Sequence, residues 1–120
     1  MHFATNDLWN GTIPNERILE AFSLVVANYR AVNPQVILLV AQVIPNAGCS
    51  TCGTSIPAFN AALVPWAAAE YADASPIYLV DQYTGFDPAT DTGDGCHPNV
   101  VGSQKMAEGW AEALAAHGLL

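Results

Sequence analysis

The segment Gln35–Val43 (QVILLVAQV) limits the fold more than any other part of the chain. It is nearly unbroken in branched apolar residues, yet far too short to cross a membrane. It lies between two stretches with helical spacing. A strand of this kind is buried on both faces, which marks a central strand of a parallel sheet. Ahead of it, Asn15–Arg30 sets Ile18, Leu19, Phe22, Val25, Val26 and Tyr29 on one helical face. Glu16 and Glu20 near the start and Arg30 near the end suit the helix dipole. Asn33-Pro34 stops that helix, because a residue before proline avoids helical angles.

Beyond the strand, Pro45–Gly53 reads as a loop and Ser55–Asp73 as a second helix. Ser55 is expected to cap it, with Pro57 in the first turn and a bend at Pro65. Its inner stripe is Phe59, Leu63, Trp66 and Ala67. Ile77–Val80 is a short apolar strand ending at Asp81. Gln82–Pro98 reads as a long polar loop, and loops of that length in a compact domain are often functional. Asn99–His117 is expected to be a third helix, with Val100, Ala107, Trp110, Ala111 and Leu114 facing inward. Phe3 and Ala4 look like the end of one more strand. The alternation of helix and strand predicts an α/β fold with a parallel sheet, a single domain over residues 1–120. The strands are few for an independent domain, so the sequence reads as part of a larger one.

Composition excludes some functions. Hydrophobic residues make up 52% of the 120-residue chain and charged ones 12%, which rules out a disordered polymer. The eleven acids against three bases give a net charge of -8. Phosphate backbones repel such a chain, and no basic face draws it to an anionic membrane. Nucleic acid and membrane are therefore not expected partners. The first residues, Met1 to Asp7, show no signal-peptide pattern.

Asp94-Gly95-Cys96-His97-Pro98 is the strongest chemical signal. A base that deprotonates a serine is best an imidazole, and it needs an acceptor on its other nitrogen to fix its tautomer. A separation of three residues lets Asp94 fold back onto Nδ1 of His97, with Nε2 left facing outward. The bland alternative is a capping turn in which Asp94 bonds loop amides and His97 is a surface residue. Asn6-Asp7 is the second signal. A strand-end Asn amide can donate to a developing oxyanion; alternatively the pair forms an Asx turn, with Asp7 holding the loop.

The three cysteines leave several options. Cys49 and Cys52 can pair locally. Cys49, Cys52, Cys96 and His97 have the ligand types for zinc, although neighbours such as Cys96 and His97 rarely reach one metal. A redox Cys-x-x-Cys needs a helix start directly after a strand, and Gly53 and Pro57 argue against one here. Asn10-Gly11-Thr12 is a glycosylation acceptor pattern. His2 is read as a core residue and His117 as a frayed helix end.

Taken together, these segments resemble the SGNH (GDSL-like) hydrolases. The third block of that family, Gly-x-Asn-Asp, reads here Ala4-Thr5-Asn6-Asp7, with alanine for glycine. The fifth, Asp-x-x-His followed by Pro, is matched in full by Asp94 to Pro98. Asn6 to Thr12, Cys49 to Cys52, Val80 to Asp87 and Gly102 to Ala107 are similar to the secreted, acetylxylan-esterase-like branch, carbohydrate esterase family 3. The resemblance implies a flavodoxin-like three-layer α/β/α sandwich, here partial, with its N-terminal strands missing.

It further implies a serine ester hydrolase with His97 as base, Asp94 as its orienting acid and Asn6 in the oxyanion hole. Beside these, Asp7, Trp9 and Tyr83 are candidate rim residues, Trp9 and Tyr83 more simply read as ordinary rim aromatics, and a local Cys49–Cys52 disulfide fits a secreted protein better than a metal site. The substrate would be an acetylated cell-wall polysaccharide, the location extracellular, and no cofactor is called for. The Gly-Asp-Ser block that carries the nucleophile is absent, as is the Gly-x-Ser-x-Gly elbow. The chain alone is thus expected to be inactive. A fragment or pseudoenzyme kept as a carbohydrate-binding module, with Trp9 and Tyr83 stacking on sugar, is the rival reading.

Overall fold

The structure is a computed structural model that describes all 120 residues. In chain order it contains α1 (Thr5–Leu8), α2 (Asn15–Val32), β1 (Leu38–Ala41), α3 (Cys52–Glu70), β2 (Ile77–Val80), α4 (Pro88–Asp91) and α5 (Val100–Ala116). The two strands pair in parallel, with Leu38 opposite Ile77 and Ala41 opposite Val80. On the other edge of β1, the Met1 main chain bonds to Leu39 O and Ala41 N, in parallel fashion. The expected strand at Phe3 and Ala4 is reduced to this contact. Ala4 has already turned into the left-handed region, with φ 84°.

Side-chain alternation along β1 directs its two faces to different helices. Leu38 and Val40 enter a core with Ile18, Phe22 and Val26 of α2 and Ile56, Phe59 and Leu63 of α3. Phe22 is the hinge of that core, edge-to-face with Phe59 at 5.7 Å and with Trp66 at 5.6 Å. Leu39 instead borders an open apolar groove with Trp110 and Leu114 of α5. The result is an α/β fold with helices flanking a parallel sheet, as expected.

Several boundaries differ from the sequence reading. The apolar run over residues 35–43 yields only four residues of strand. Beyond Ala41 the ladder ends because the buried Asn60 takes over the backbone of Val43, accepting its N–H at 2.8 Å and donating to its carbonyl at 2.9 Å. Helix α3 begins at Cys52, not Ser55, since the Thr51 carbonyl already accepts from Thr54 and Ser55. Ser55 is therefore no cap; its hydroxyl donates to Leu8 O at 3.0 Å. Pro57 and Pro65 both lie inside the helix, so Pro57 is not in its first turn. The helix ends at Glu70 because Tyr71 is extended.

The long loop holds a helix of its own, α4, whose start is made by Asp87 accepting from Ala89 N, with Pro88 next to it. The inward face of α5 is also rotated from the expected one. Val100 is 87% exposed and Ala107 and Ala111 face solvent, whereas Gly102 is buried and Trp110 and Leu114 are half-buried. The helix packs through its glycines, Gly102 against α4 and Gly109 against Gln82, because only they allow so close an approach. His117 is not frayed: it stacks on Tyr78 with ring centroids 3.6 Å apart. His2 is half-buried, and its Nε2 lies without a partner.

Candidate active site

Residues 92–98 form a closed turn. Thr92 and Pro98 form an antiparallel bridge, Gly93 N–H donates to His97 O at 3.1 Å, and Gly95 N–H donates to Thr92 Oγ1 at 2.7 Å. Gly95 has φ +85°, and a Cβ there would fall 3.2 Å from Gly48 N, so both conformation and space require glycine. Inside this turn Asp94 uses both carboxylate oxygens. Oδ1 accepts from Cys96 N–H at 2.9 Å and His97 N–H at 2.7 Å, and Oδ2 lies 2.7 Å from His97 Nδ1. The capping turn and the Asp–His pair are thus one structure, not competing ones. The amide of His97, then its imidazole, then the amide of Cys96 hold the Asp94 carboxyl well below the usual carboxylate range. The site is open: the His97 side chain is 82% exposed and that of Asp94 56%. Asp94 is the only side chain bonded to the His97 ring, which leaves Nε2 facing solvent.

The Asn6 segment folds into α1 instead of an extended strand end. Ala4 caps it without a side-chain bond, Leu8 is buried beneath it, and Asn6 and Asp7 face outward. Neither side chain makes a hydrogen bond within the chain, so the Asx-turn alternative fails and Asp7 does not hold the loop. The Asn6 amide is free to donate elsewhere. The last carbonyls of this segment are taken by the start of α3: Ser55 donates to Leu8 O and Thr51 Oγ1 to Trp9 O at 2.8 Å.

The two segments meet at Gly48. A Cβ on Gly48 would stand 3.1 Å from Cη2 of Trp9, 3.2 Å from Asn46 Oδ1 and 3.3 Å from Cβ of Cys96. The loops that follow Met1–Phe3, β1 and β2 therefore converge at the carboxyl end of the sheet, where open α/β sheets bind ligands. Trp9 and Tyr83 are half-buried and rest on the core, so neither is a free stacking platform. Sequence reasoning missed Asn46, which is buried and bridges the loops: it accepts from Gly48 N–H at 2.7 Å and donates to Cys96 Sγ at 3.0 Å. It also missed Asp91, which anchors the turn from below; Asn99, expected to start the third helix, does cap α5 by accepting from Val101 and Gly102 N–H.

Cys49 and Cys52 form a disulfide, with Cα atoms 5.4 Å apart. That removes two of the four ligands from the zinc reading. Contrary to the expectation from Gly53 and Pro57, the pair does sit at the start of a helix that follows a strand. Ser55 bonds Leu8, Ser23 bonds Glu70 and Ser75 bonds Val36, whereas Ser50, next to Cys49, is exposed and makes no side-chain hydrogen bond.

No protein-family model matches the chain, and no curated protein matches it in sequence. Solved structures do match, and they define the class: the chain has part of the SGNH esterase fold. It is similar to a carbohydrate esterase family 3 protein from Talaromyces cellulolyticus, with a TM-score of 0.84 at 27% identity over 96% of this chain and 55% of that one. It is similar also to a serine-to-alanine mutant of an acetyl esterase, solved with an acetate ion, with a TM-score of 0.82 at 28% identity over 96% and 56%. A Bacteroides fragilis protein described as an acylhydrolase gives 0.75 at 23% identity over 97% and 60%, a likeness of fold alone. The chain thus spans little more than half the length of the first two structures.

Proposed function

We propose that this chain carries the acid–base pair and one oxyanion donor of a serine ester hydrolase that removes O-acetyl groups from plant cell-wall polysaccharide. The observation that carries the reading is the 2.7 Å contact between His97 Nδ1 and Asp94 Oδ2, with Asp94 fixed by two amides and Nε2 left open. The nucleophilic serine would come from a Gly-Asp-Ser segment outside these residues. Its Oγ attacks the acetyl carbonyl as His97 Nε2 takes the proton. Asp94 holds the Nδ1–H tautomer and stabilises the imidazolium. The Asn6 amide donates to the oxyanion, an interaction worth ~3 kcal/mol in such sites. His97 then gives that proton to the departing sugar oxygen, which leaves as a hydroxyl, and water releases acetate from the acyl-serine. Likeness to the family 3 and acetyl esterase structures supports the substrate class. The disulfide fits an oxidising compartment and supports an extracellular location.

The test is acetate release from acetylated xylan by the longest in-frame product that contains this chain. Release that falls about 1,000-fold or more in His97→Ala and Asp94→Asn supports the reading. A product that carries the serine block yet releases no acetate, or a His97→Ala variant as active as the parent, overturns it.

A further inference from the structure

All three cysteines lie where the β1–α3 loop meets the turn of His97. Cys49 and Cys52 are joined, and Cys96 is free and half-buried. Cys96 Cβ is 3.3 Å from where a Gly48 side chain would begin. Cys49 is the next residue, one Cα step of about 3.8 Å along the chain. The two loops are tied by Ala47 N–H donating to Gly95 O at 2.8 Å and by Asn46 donating to Cys96 Sγ at 3.0 Å. Apart from that Ala47 bond, residues 44–50 make no backbone–backbone hydrogen bond; the loop is anchored at Val43 by Asn60 and at Gly48 by Asn46.

We propose that Cys96 is the third member of a thiol–disulfide centre and exchanges with the Cys49–Cys52 bridge. The Cys96 thiol gives its proton to solvent, and the thiolate attacks Cys49 Sγ. A Cys96–Cys49 bond forms as the Cys49–Cys52 bond breaks. Cys52 leaves with the electron pair and takes up a proton. No external oxidant or reductant is consumed, and the reverse attack by Cys52 restores the first bridge. Cys49 is the sulfur attacked because it is half-buried, whereas Cys52 is only 1% exposed. Cys52 is the first residue of α3, and no side chain caps that helix. The free amides of that first turn offset part of the cost of a charge on Cys52, which packs against the apolar core, and Cys52 ends as a buried thiol.

The exchanged bridge ties the residue before His97 to the β1–α3 loop. A disulfide needs Cα atoms about 4.4–6.8 Å apart, so the exchanged bridge constrains Cys96, whose N–H donates to Asp94 Oδ1. The pairing state of three cysteines thereby sets the geometry of the Asp94–His97 pair. The proposal stands whether or not the protein hydrolyses esters.

The test uses the full chain, held at pH 8 without redox reagent, quenched in acid, alkylated, digested and sequenced by mass spectrometry with fragmentation between Cys49 and Cys52. The expected result is a Cys49–Cys96 linked peptide beside the Cys49–Cys52 one, with alkylated Cys52 in matching amount. In Cys52→Ser, mild air oxidation should give a monomer bridged from Cys49 to Cys96. If alkyl label in the unaltered chain is found on Cys96 alone after prolonged incubation, the proposal is overturned. Cys52→Ser chains that stay unbridged or link only between molecules count against it equally, and if that variant does not fold the unaltered chain decides.

Discussion

A Cβ at Gly102 would fall 2.1 Å from the carbonyl oxygen of Asp91, so the first turn of α5 is pressed directly on the end of α4. That contact supports the turn carrying Asp94 and His97. Asp91 is 1% exposed; its carboxylate takes Asp87 N–H at 2.8 Å and Lys105 Nζ at 2.7 Å, and its carbonyl takes Asn99 N–H at 2.9 Å. The Asp87 amide and then Lys105 hold the Asp91 carboxyl below its ordinary range. Gly102→Ala should cost about 1–3 kcal/mol, because backbone and not a flexible side chain must yield. Thermal unfolding checks it, and an unchanged Tm contradicts this packing.

Ala4 is the one non-glycine residue with positive φ. An L-residue in the left-handed region costs about 1–2 kcal/mol, and glycine removes that cost while adding freedom to the unfolded chain. Ala4 is also 4% exposed, and loss of its buried methyl costs about 0.8 kcal/mol, so Ala4→Gly should change stability by less than about 1 kcal/mol. Urea unfolding with an unchanged slope is the measurement; a loss well beyond that would mean Ala4 is not left-handed in solution.

Asn60 satisfies both backbone groups of Val43 within the core. Asn60→Ala strands a donor and an acceptor, at about 1–3 kcal/mol each when buried. Hydrogen exchange at the Val43 amide should accelerate in step with the lost stability. Slow exchange at that amide in the variant would show that another partner replaces Asn60.

Much of the architecture can be read from the sequence because period and burial agree. Phe22, Val26, Phe59, Leu63, Trp66 and Ala67 all fall in the core where their helical spacing puts them. The misread parts are those set by single tertiary contacts. Asn60 shortens β1, Thr51 starts α3 early, and the close approach of Gly102 and Gly109 rotates α5 away from its apolar face. At the candidate site, Asp94 and His97 were legible because their partnership is local. Asn46 was not, since its partners Gly48 and Cys96 belong to two different loops.

Asp94 also makes stability depend on pH. Its carboxyl titrates lower in the folded chain than the usual value of about 3.9. The stabilisation is therefore complete above that value and is lost as pH falls through the folded-state value. Denaturation midpoints of the unaltered chain and Asp94→Asn should differ at neutral pH and converge as pH drops below about 4. A constant difference down to pH 2 would rule out this linkage.

The account rests on Asp94 fixing His97 with its proton on Nδ1 and leaving Nε2 as the free base. Nitrogen NMR of the His97 ring in the intact chain, at a pH where the imidazole is neutral, reads this directly. The account predicts a protonated Nδ1 and an unprotonated Nε2, with that preference lost in Asp94→Asn. A ring found mainly with its proton on Nε2, or one unaffected by Asp94→Asn, contradicts it.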